Sequence, residues 1–77
     1  GRRPDHPAYR EVHDEGGLRR LTASGTPLAG WRLQGLDLEP HATYLSRADV
    51  RGLVVLGGRV PDELARDLVA RGAVIIP

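Results

Sequence analysis

The chain has 77 residues, 27% of them charged, with a formal net charge of +1 and no cysteine. That is one small domain with a limited core, and it excludes a disulfide framework and a cysteine-built zinc site. Acids and bases are interspersed, so there is no polybasic nucleic-acid face; no run approaches the roughly 20 apolar residues of a membrane helix, and no signal-peptide pattern opens the chain.

"GRRPDHP" (Gly1 to Pro7) has two prolines and no apolar residue, and residues 1–13 are expected to form a loose arm. Within it, Tyr9 and Val12 alternate with polar neighbours and permit a short strand. Asp14 can cap a helix whose first turn carries Glu15. Leu18 and Leu21 share a face and Gly25 supplies a stop, so the spacing predicts a helix over 15–24. In "LAGWRLQGLDLEP", Trp31 and Leu33 have one parity, and Leu36 and Leu38 the other. A bulge or bend at Gly35 brings both pairs to one side, and Pro40 ends the strand. "HATYLSRADV" offers a short helix or turn around Tyr44 and Leu45. "LVVL" (Leu53 to Leu56) is apolar at both parities, as strands covered on both faces are.

"VPDELARDLVARG" carries the strongest helix pattern. Pro61 suits its first position. Asp62 and Glu63 complement the helix dipole at its start and Arg71 at its end. Leu64 and Leu68 stack at i, i+4, with Ala65 and Val69 beside them, and Gly72 closes it. "AVIIP" forms the last strand. Gly30, Gly52 and Gly72 each precede a strand, at spacings of 22 and 20. "LQGLDL" fits the core of a leucine-rich repeat, but the next unit reads "LVVLGG". Parallel βαβ units explain the same period.

The fold class expected over residues 14–77 is therefore α/β: a small two-layer domain of three or four mostly parallel strands with βαβ crossovers. Its expected core is Leu21, Trp31, Leu33, Leu36, Leu38, Leu45, Val54, Leu56, Leu64, Leu68, Val74 and Ile76. The chain lacks methionine and stops in an apolar strand, which reads as a fragment of a longer protein.

Gly57, Gly58 and Arg59 follow a strand and precede a helix, where backbone amides and an arginine can hold a phosphate. The residues that follow oppose that use. No further glycine of a dinucleotide fingerprint comes after Gly58, and there is no G-K-[ST]. Pro61 removes an amide hydrogen, and Asp62 and Glu63 place two negative charges beside any anion. The preferred reading is a structural corner, with an anion site at Gly57, Gly58 and Arg59 as the alternative. His6, His13 and His41 lie in separate segments without metal-ligand spacing and read as solvated loop residues. Asp37 reads as an exposed strand carboxylate, and Trp31 as a core anchor. Ser24, Thr43 and Ser46 have no evident base. The expectation is no catalytic set, no metal and no cofactor.

"LAGWRLQGLDL", "ADVRGLVVLGGRV" and "LVARGAVIIP" resemble the N-terminal segment of certain actinobacterial proteins of the LOG (Lonely Guy) family, whose genes are often labelled lysine decarboxylase. In those proteins the segment precedes a Rossmann-like domain that removes ribose phosphate from a nucleoside monophosphate. That activity depends on a P-G-G-x-G-T-x-x-E motif. Here Leu56 stands for its first proline and Val60-Pro61 for its glycine-threonine pair, so no catalytic residue carries over. The resemblance implies a non-catalytic front domain whose partner enzyme is missing from this chain. The bare apolar end at Ile76 and the absence of a catalytic set point to a domain that docks on a downstream Rossmann-like domain or on its own copy. Charge and apolar run lengths point to no nucleic-acid or membrane partner, and a cytoplasmic setting is expected. A nucleotide-binding domain using Gly57, Gly58 and Arg59, and a free-standing peptide binder that accepts a strand at an open sheet edge, are the alternatives.

Overall fold

The computed structural model of the protein describes residues 10–77. They form β1 (Glu11–Val12), α1 (Glu15–Ser24), β2 (Arg32–Gln34), a 3-10 turn (Glu39–His41) running into the single-turn α2 (Ala42–Leu45), β3 (Val54–Leu56), α3 (Asp62–Ala70) and β4 (Val74–Ile76). The strands make one sheet in the order β1-β2-β3-β4, and every neighbouring pair is parallel. This is the expected small two-layer α/β domain with four strands. The fourth, β1, lies inside the segment expected to be a loose arm; residues 1–9 of that arm lie outside the described residues.

The helices start and stop where local chemistry dictates. Asp14 adopts an extended backbone and its Oδ1 accepts the Gly17 N–H, an N-cap that supplies one of the helix's orphan donors with a partner. Gly25 closes α1, and the Thr26 N–H donates to the Leu21 carbonyl. In α3, Pro61 is the N-cap and Arg71 the C-cap, so the helix is one residue shorter at each end than the sequence suggested. The Ala73 N–H donates back to the Leu68 carbonyl, 2.9 Å, and turns the chain directly into β4.

Register fixes the core. Val12, Leu33, Val55 and Ile75 are partners across successive strands, at intervals of 21, 22 and 20 residues. They point to the face where Leu18, Leu45, Leu64 and Leu68 pack, and all belong to one hydrophobic cluster. Burial of one such side chain contributes roughly 1.5–3 kcal/mol. The expected core is right at Leu33, Leu36, Leu38, Leu45, Leu64 and Leu68 and requires correction elsewhere. In β3 and β4 the parity is reversed: Leu53, Val55 and Ala73 are buried, whereas Val54 and Leu56 are half-exposed and Val74 and Ile76 are exposed. A strand apolar at both parities does not declare its inner face, and here the helices of the described residues all lie on one face. Leu21 and Trp31 are half-buried against the core rather than inside it, while Val12, Leu18, Leu28 and Val50 complete it.

The glycine period is a repeat in the backbone. The Gly30 N–H donates to the Arg51 carbonyl and the Gly52 N–H to the Gly72 carbonyl; Trp31 donates to Leu28 as Leu53 does to Val50; Gly35 donates to Leu56 as Gly57 does to Ile76. Each coil therefore repeats its predecessor's turn and hydrogen-bonds onto it. The leucine-rich-like spacing of the first coil has its counterpart in space in the second, with Val50, Leu53, Val55, Gly58 and Val60 following Leu28, Trp31, Leu33, Leu36 and Leu38. The chain breaks its strand at Gly35, after Gln34, and Leu33, Leu36 and Leu38 all stay buried across the bend.

Candidate functional site

Three places bring functional chemistry together. The first lies past the C-terminal ends of β2 and β3, where open parallel sheets commonly hold ligands. The Arg59 Nη1 sits 3.2 Å from Asp37 Oδ1 and 2.5 Å from Glu39 Oε1. Asp37 Oδ1 also accepts the Glu39 N–H, 3.1 Å. From α1, Glu15 reaches across with both oxygens: Oε2 accepts the Asp37 N–H at 3.1 Å and Oε1 lies 3.3 Å from His41 Nε2. The hydrogen bonds that Arg59 donates to Glu39 and then to Asp37 raise its pKa further, so the guanidinium is held charged.

This geometry bears on the anion reading of Gly57, Gly58 and Arg59. The Gly57 N–H is spent on the Ile76 carbonyl and the Arg59 N–H on the Leu36 carbonyl, both at 2.9 Å. The Arg59 side chain faces two carboxylates, and the space that a Cβ at residue 58 would need is occupied by the Leu36 backbone. Glycine is therefore required here for the close approach of two coils. The Gly57 and Arg59 amides and the Arg59 guanidinium, which a phosphate would use, already have partners.

The same cluster corrects two readings. His41 is buried, 7% exposed, rather than solvated. Glu15 is more than a first-turn charge, since it ties α1 to the loop after β2. A signal for His41 exists in the sequence: Leu38, His41 and Leu45 fall at i, i+3 and i+7, the spacing of one buried helical face. His13 is exposed and distant in role, and His6 lies outside the described residues. Among the described residues no group of three His, Asp or Glu side chains is placed to hold a metal ion. Asp37 is exposed, as expected. The Ser24 and Ser46 hydroxyls donate to the Leu21 and Thr43 carbonyls, a local backbone role.

The second place is a cleft of ≈ 250 Å³ between β1, α1 and Trp31, walled by Val12, Asp14, Gly17, Arg20, Leu21 and Trp31. The buried Trp31 Nε1 has no hydrogen-bond partner among the described residues.

The third is the sheet itself. Its face opposite the helices carries Arg32 and Gln34 from β2, Val54 and Leu56 from β3, and Val74 and Ile76 from β4, in register. Val74 is 51% and Ile76 45% exposed. All-parallel sheets occur almost only with both faces covered. Four aliphatic side chains stand side by side on this face, with no covering layer among the described residues. No helix among them is long and apolar enough to cross a membrane. Set against protein-family models, curated proteins and solved structures, the chain matches none of them.

Proposed function

We propose that the chain is a non-catalytic interaction domain that docks through its open sheet face on a neighbouring Rossmann-like domain or on a second copy of itself. One observation carries this reading: the row Val54, Leu56, Val74 and Ile76 on the face of an all-parallel sheet that no other described residue covers. Covering these side chains removes apolar area from water at about 25 cal/mol per Å². The resemblance to the segment preceding LOG-type phosphoribohydrolase domains supplies the kind of partner, an α/β domain that could complete a third layer. A nucleotide site at Gly57, Gly58 and Arg59 is the poorer reading, because Arg59 is shared between Asp37 and Glu39.

NMR of the isotope-labelled chain tests this. A purified LOG-type Rossmann-like domain is added in one series, and the chain itself is concentrated to about millimolar in another. One of the two should shift Val54, Leu56, Val74 and Ile76, and the exchange Val74→Asp with Ile76→Asp should abolish the shift. No movement of these residues in either series would end the proposal. Movement confined to residues 57–63 on adding AMP or phosphate would install the nucleotide reading in its place.

A further inference from the structure

We draw no further inference here: the strongest candidate, the cleft of ≈ 250 Å³ between β1, α1 and Trp31, lies where the described residues begin, and nothing in the structure shows what covers it.

Discussion

A methyl group added at Gly58 would stand 2.3 Å from the Leu36 carbonyl oxygen and 2.7 Å from the Leu36 nitrogen, with φ at +77°. Both contacts are to backbone, which cannot swing aside as a side-chain tip could. At Gly57 the φ is +62° but nothing lies within 4 Å of the added atom. The two glycines adjoin in sequence and carry different burdens. Gly57→Ala should cost about 1–2 kcal/mol, the left-handed penalty alone. Gly58→Ala should cost about 3 kcal/mol or more, because strain and overpacking act together. Urea unfolding midpoints separate the two; equal losses would mean that the approach of the two coils is not what residue 58 serves. The sequence shows the glycine pair at once. It does not show the Leu36 carbonyl 22 residues away, which gives residue 58 a packing role.

At the scale of elements, the end of α3 is bolted to the preceding coil by one side chain. The Arg71 Nη1 donates to the Ala48 carbonyl at 2.9 Å and Nη2 to the Leu45 carbonyl at 2.6 Å, while Asp67 one turn back holds the guanidinium. The Leu45 carbonyl ends α2, the Ala48 carbonyl lies three residues beyond it, and both would otherwise depend on water. Arg71→Ala should lose roughly 1.5–3 kcal/mol, the range for hydrogen bonds to a charged donor. Asp67→Ala removes only an exposed i,i+4 ion pair and should lose about 0.5 kcal/mol. Chemical denaturation of both variants decides the matter, and comparable losses would place the energy in the ion pair instead. Read along the chain, Arg71 is a charge suited to a helix C-terminus. Its larger use was hidden because both acceptors are backbone atoms of a remote and weakly patterned segment. Asp49 behaves differently: its partner Arg51 is two residues away, and hydrogen bonds from that side chain and its amide lower the Asp49 carboxyl pKa to about 2.

For the whole molecule, one cluster joins residues from Val12 to Ala73, so no coil has a core of its own. Unfolding should therefore be a single transition, with Trp31 fluorescence and far-UV circular dichroism coincident. Leu68 is fully buried at the centre of α3, and Leu68→Ala should shift that transition by about 2–5 kcal/mol. A separation of the two probes in the native chain would show that the coils melt independently. The helices, the bend at Gly35 and the parallel order were legible because caps, parity and connection length each point one way. The inward parity of β3 and β4 was not. "LVVL" and "AVII" are apolar on both sides, and the placement of the helices of the described residues on a single face decides between them.

The column Val12, Leu33, Val55 and Ile75 also makes size an adjustable property of this architecture. Nothing in a sheet whose strands follow chain order forces closure, as a barrel would. Each turn meets the one before it and the one after it, by the same bonds and the same side-chain station. A tandem copy of about 22 residues, placed at the boundary between two turns, would find both of its neighbours already shaped to receive it. Among changes of length, growth or shrinkage of the gene by one turn is therefore the one this architecture accommodates most readily.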